Sequence, residues 1–395
     1  MIQPTSLTNP VSASRPLAAA RSTSTAEAAL PQDGAEITAL PPLETPKDAV
    51  ETLNTGFGYV EFPQVSPDGK TLIFNVVHDY ETSQMFRMKA KGGAVKALFT
   101  GEEVTADDVH AFLERHKGRI DEQGSWSVDG KSIFFRTNRQ GTFALARFDV
   151  KDREDEVLAH DPQLNMKHPV ETEDGWLVCY GGPPGEKYPT TDRYTNLFLV
   201  NPDGGEVRML THSQGEVSYK HPSVLDGQIV AHKENGTPER EASDIVLVDP
   251  DTGRETNLTN TPDAIERHPF HNEEVGLLTF HSDETGDKNI WISEPDGSRK
   301  CQLTHYGRPA QSPVWSPDGK KIYFVKKDVK QAEGEPFFAR QADVRVIDVE
   351  DALRDLKKQA KAQIRELEKA GAPAEIVAQA EQRLADIKHF LKKYA

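Results

Sequence analysis

Three His-Pro pairs, His168-Pro169, His221-Pro222 and His268-Pro269, recur 53 and 47 residues apart in a chain of 395 residues that has 13 histidines. Imidazole changes charge near neutral pH and is the commonest side-chain nitrogen ligand of transition metals. Three such rings meeting at one point, with Gln123 as a fourth donor, would hold a divalent ion such as Mn or Zn and leave positions open for a substrate. The plainer reading is a lining of solvated histidines, because a residue before proline is driven to extended backbone by sterics alone. The choice depends on whether the chain brings positions 168, 221 and 268 together.

The elements that would do so are repeats. Pro63 to Lys70 reads PQVSPDGK and Pro313 to Lys320 reads PVWSPDGK, followed by the apolar runs Leu72-Ile73-Phe74 and Ile322-Tyr323-Phe324. Pro-Asp-Gly supplies a preset φ, a side chain that bonds its own backbone, and a residue free to take positive φ, so each octet reads as a strand and a hairpin turn. Weaker copies start at 124, 169, 222 and 269, giving spacings of 61, 45, 53, 47 and 44 residues. A second hairpin ending in Leu-Thr recurs at Thr195 to Thr211, Ser243 to Thr259 and Asn289 to Thr304. Each unit is then four strands, A to D, at a period that suits propeller blades.

One slot, just before the Pro of strand A or its equivalent, is filled in order by Phe62, Gln123, His168, His221, His268 and Ser312. Strand A lines the axis of a propeller, so this slot is placed at the channel mouth, on the face carrying the D–A and B–C loops. The B-strand or B–C residues His78, His232 and His281 fall toward the same face. The sixth unit lacks an outer Leu-Thr strand. Residues 49–55 supply it, since Leu53 precedes Pro63 by ten residues as Leu303 precedes Pro313. An unclosed ring would expose strand edges. The fold class is all-β: a six-bladed β-propeller closed by an N-terminal strand, with a C-terminal α-helical hairpin.

Over residues 49–349 these units resemble the TolB-like family of β-propeller repeats, most clearly in units one, five and six. Members of that family proper are periplasmic and carry an α/β domain ahead of the propeller. Residues 1–31 show no continuous apolar stretch of the kind a secretory signal needs, so the expectation here is a cytoplasmic protein. The set Gln123, His168, His221 and His268 is also similar, in residue type and placement, to oligogalacturonate lyases, propellers that hold manganese in the channel with three His and a Gln. That resemblance implies a metal-dependent lyase or hydrolase. The main expectation is a non-catalytic binding or scaffold protein that recognises a peptide, protein or small ligand at the channel-mouth face. There is no G-x-S-x-G, H-E-x-x-H, P-loop or G-x-G-x-x-G pattern.

Residues 1–47, rich in Ser, Thr, Ala and Pro, read as a disordered tail, 48–349 as the propeller and 350–395 as the hairpin. Thr105 to Asp108 opens a short helix through His116, and long B–C loops fall at 181–194 and 326–341. In the tail, Leu353, Leu356, Ala360, Ile364 and Leu367 follow helical spacing, Gly371 to Pro373 breaks the helix, and Ile376, Ala380, Leu384, Ile387 and Leu391 form a second stripe. That pair packs on itself or on the propeller, or else dimerises or binds a partner. The net charge of −16 speaks against nucleic acid, and no run of 18 apolar residues spans a membrane. Cys179 and Cys301, each in an apolar strand, read as buried thiols.

Overall fold

The computed structural model describes residues 37–53, 56–184, 194–203, 205–213, 217–235, 241–327 and 342–394. Six four-stranded antiparallel sheets follow one another around the ring. Five are consecutive meanders. The sixth is ordered Val50–Leu53, Ala342–Asp348, Lys321–Lys327, Ala310–Trp315, so the N-terminal strand closes the last blade. Its register pairs Val50 with Ile347 and Leu53 with Val344. Leu53 is buried in the apolar cluster between blades six and one, with Val344 and Val346. Gly58 O accepts a further bond from Ala342 N at 2.9 Å.

The octets fold as their residues require. Ser66 Oγ donates to Asp68 Oδ1 at 2.6 Å and Ser316 Oγ to Asp318 Oδ1 at 2.6 Å. Gly69 and Gly319 then close the turns at φ 71° and 65°, a region where a side chain would be strained. The B and C strands fill the space between blades with apolar side chains such as Phe74, Phe86, Phe135 and Phe324. Burying each stabilises the ring by roughly 1.5–3 kcal/mol.

The feature that positions the site is absent from the sequence pattern. In all six blades the A–B pairing slips by one residue at the slot. In blade three Lys167 pairs with Tyr180 and Val170 with Val178, so His168 and Pro169 together oppose Cys179. This is a β-bulge, two residues against one. The slot residue takes φ of 51°, 55°, 51°, 47°, 56° and 54° in blades one to six. The extended backbone expected before proline is therefore corrected to left-handed backbone. Proline is not the cause, since Gln123 shares the conformation and is followed by Gly124. The bulge sets φ, and a proline after it removes an N–H that the slipped ladder could not use.

Helix α1 (Val109–Glu114) is shorter than the expected span to His116. Thr105 Oγ1 donates to Asp108 at 2.6 Å in the turn before it, and Phe112 packs on Phe86 with ring centroids 5.4 Å apart. The long loops expected at 181–194 and 326–341 lie largely outside the described residues, as do residues 1–36 of the expected disordered tail.

Residues 37–47, assigned to that tail, are packed instead. Pro41 O accepts from Gln363 and Arg383, Glu44 N donates to Gln359, and Leu43 is buried. The cause lies in helices α2 (Val349–Lys369) and α3 (Ala374–Leu391), which present side-chain amides and a guanidinium to this segment. The hairpin docks on blades five and six: α2 buries Leu353 and Leu356 with Ile322 and Phe324, and α3 buries Ile387 and Phe390 there. Glu294 of blade five holds His389 at 2.6 Å and Lys393 at 3.0 Å. The stripe that offered a dimer surface is thus covered within the chain. No described helix is long and apolar enough to cross a membrane.

Candidate functional site: the imidazole floor of the axial channel

The bulges turn the slot side chains toward the axis. His221 and His268 lie with ring centroids 3.8 Å apart, and His168 is 5.1 Å from His221. The strand B histidines join them: His232 is 5.2 Å from His221 and His281 is 5.2 Å from His268. Phe62, unassigned by the sequence, completes the floor at 5.7 Å from His221 and 5.9 Å from His268, its plane within 3° of the latter ring. Gln123 is drawn aside: its backbone N–H donates to Asn75 Oδ1 at 3.0 Å and its amide reaches Tyr180 Oη at 3.5 Å. His78 is not in the cluster, because its Nε2 bonds Glu114 of α1 at 2.9 Å.

The second ring of residues follows a rule. Four of the six slots meet the strand B residue of the preceding blade. Asn75 takes the amide of Gln123, Tyr180 stacks on His221 at 5.2 Å, His232 faces His268 at 5.9 Å, and His281 Nδ1 takes the amide of Ser312 at 3.4 Å. Asn, Tyr and His at that site were legible only once the register between blades was known.

The slots sit within strand A rather than at its start: His168 lies inside Asn165–Glu171 and is 8% exposed. The mouth placement is corrected accordingly, because strand A begins two or three residues earlier and the slots form a floor part-way along the channel. From that floor a cavity of about 230 Å³ runs past the strand A prolines, Trp126 and Trp315 to the A–B turns at Ser127, Val128 and Pro317. The open end is on the A–B turn face, opposite to the face expected.

Burial dominates the electrostatics. It lowers His168 to about 4, with the Arg136 guanidinium adding to the effect. It holds His221, His232, His268 and His281 well below the usual histidine range, helped by neighbouring imidazoles and by Lys220, Arg267 and Lys288. The cluster is neutral at pH 7. His221 and His232 leave both ring nitrogens buried without a hydrogen-bond partner, and His168 leaves Nδ1.

Neutral imidazoles in proximity satisfy half of what a metal site needs. The other half is direction, since the nitrogen lone pair lies in the ring plane. His221 and His268 lie 3.8 Å apart with their planes tilted by 30°, so the rings overlap by their faces rather than meeting edge-on at a common point, and Phe62 stacks on both. Among the described residues no three His, Cys, Asp or Glu side chains are arranged to hold an ion. The residues present do not fit the Mn or Zn ion that the lyase resemblance implies, and no reaction step is derived through it.

No family model matches the chain. It is 28% identical over 234 residues to an uncharacterised protein of Agrobacterium fabrum, covering 57% of this chain and 71% of that protein. Solved structures similar in fold include TolB from Acinetobacter baumannii, at 16% identity and a TM-score of 0.49 over 66% of this chain and 57% of that one. They also include oligogalacturonate lyase from Vibrio parahaemolyticus, at 14% identity and a TM-score of 0.48 over 76% of this chain and 93% of that one. At these levels neither likeness bears on activity.

Proposed function

We propose that the protein is a non-catalytic propeller that binds a peptide, a protein segment or a small ligand in its axial channel. The observation that carries this reading is the cavity of about 230 Å³, walled by strand A prolines and two tryptophans and floored by neutral imidazoles. Concave, mostly apolar sites with a few convergent polar groups are where proteins take ligands. Loops and turns held on a rigid ring are where propellers present them.

A displayed random heptapeptide library panned on the full chain tests it. Sequences should be enriched on the wild type and lost on Ser223→Trp and Val65→Trp, which fill the channel, once each variant is shown to melt like the wild type. Enrichment that survives both substitutions would sink the reading.

A further inference from the structure

The channel is reached past a group of carboxylates that the slot pattern gives no hint of. Glu171 and Glu173 of blade three, Asp226 of blade four and Glu273 of blade five line a cleft of about 530 Å³ with Val128 and Val224. Val128 is 67% exposed and lines both this cleft and the axial cavity, so the two adjoin. Among the described residues no Lys or Arg forms an ion pair with these four carboxylates; Glu171 accepts only the Val128 N–H, at 2.6 Å. Four unneutralised carboxylates at a narrow opening focus a negative potential that the net charge of −16 reinforces.

One buried group on the channel wall points to an occupant. Trp315 is 2% exposed on the channel wall, and its indole N–H has no acceptor. The carboxylates are not arranged to share a metal ion. Their spread over three blades suits an elongated organic cation instead. The apolar wall beyond them suits the uncharged part of the same molecule.

We infer that this vestibule selects a basic peptide: Lys or Arg side chains engage Glu171, Glu173, Asp226 and Glu273 while an adjoining apolar residue enters the channel. The inference rests on the channel reading above and names its ligand class. Charge-assisted hydrogen bonds to carboxylates give such a peptide both attraction and register.

Fluorescence anisotropy with labelled KLPLKG and its acidic counterpart ELPLEG tests it on the full chain. KLPLKG should bind at least tenfold more tightly than ELPLEG, and more weakly as salt is raised from 50 to 300 mM. The variant Glu171→Gln, Glu173→Gln, Asp226→Asn, Glu273→Gln should lose at least tenfold. A hairpin control, Glu366→Gln, Glu368→Gln, Glu375→Gln, Glu381→Gln, removes four exposed carboxylates elsewhere and should bind as the wild type does. Equal losses in the two variants, equal binding of the two peptides, or no binding of KLPLKG would overturn the vestibule. Ser223→Trp separates the two readings. Binding lost only there keeps the channel and removes the vestibule; binding lost only in the vestibule variant does the reverse.

Discussion

Blades three, four and five carry histidine in the bulge slot, whereas blades six, one and two carry Ser312, Phe62 and Gln123 on nearly the same backbone, with φ of 51°, 47° and 56° against 54°, 51° and 55°. The left-handed backbone is thus a property of the ring, present whatever the slot residue. Phe62 makes the point most strongly, because a bulky aromatic is rare at positive φ. The imidazoles are a second layer laid over that framework on one side of it. Holding each slot in this conformation costs about 1–3 kcal/mol, which the surrounding sheets must offset.

Acid should separate the two halves most sharply. Burial depresses the folded-state value of His168 to about 4 and of its four neighbours well below the usual range, so the unfolded chain binds protons that the folded one refuses. The stability they contribute is complete above about pH 6.5 and is lost as pH falls toward and through 4. His168 alone accounts for about 3 kcal/mol across that window. Urea unfolding at pH 7.5, 5.5 and 4.5 should show a steep loss in the wild type and a much flatter profile in His168→Gln/His221→Gln/His268→Gln. Parallel profiles would mean that the histidine half is not what senses acid.

Blade two departs from the others by placing Gly124 where five blades place proline. A Cβ there would lie 2.7 Å from Met85 Sδ and 3.3 Å from Ile73 and Ile133. Gly124→Ala should therefore cost roughly 1–3 kcal/mol, read from the urea midpoint. An unchanged midpoint would show that Met85 has room to yield.

The smallest effects compare the slots themselves. Ser312→Gly relieves left-handed strain while removing little contact, and should stabilise by about 0.5–1 kcal/mol. His221→Gly relieves the same strain but deletes a ring stacked on Tyr180, His232 and His268, and should destabilise by about 2 kcal/mol. The same sign at both sites in thermal melts would contradict the two-layer view.

The repeated octets were enough to count six blades, and the ten-residue interval shared by Leu53 and Leu303 was enough to find the closing strand. Both signals are local and periodic. The gathering of His168, His221 and His268 was legible for the same reason. What lay hidden was register. A one-residue slip shifts the hydrophobic alternation by one position, but strands of only six to eight residues are too short to show it, so the conformation of the slots, the part played by Phe62 and the withdrawal of Gln123 could not be read. The contributions of Tyr180, His232 and His281 depend on how neighbouring blades are stacked, which no single repeat encodes. The carboxylates of the vestibule come from turns that differ in length and residue from blade to blade. The packing of residues 37–47 escaped notice because Pro41, Pro42 and Pro46 break the segment, so Ile37, Leu40 and Leu43 give no sustained period that would signal a partner.

The closing strand has a kinetic corollary. Val50 finds Ile347 across almost the whole molecule, so five meanders can each complete themselves from near neighbours while the last waits for an encounter between distant parts of the polypeptide. Such long-range pairing is entropically costly and slow relative to hairpin formation. Until that encounter Val50–Leu53 and the outer edge of Ala342–Asp348 both offer unpaired strand edges to any other polypeptide nearby. A nascent chain is therefore most prone to mispairing in the interval between making blade one and releasing Ala342–Asp348.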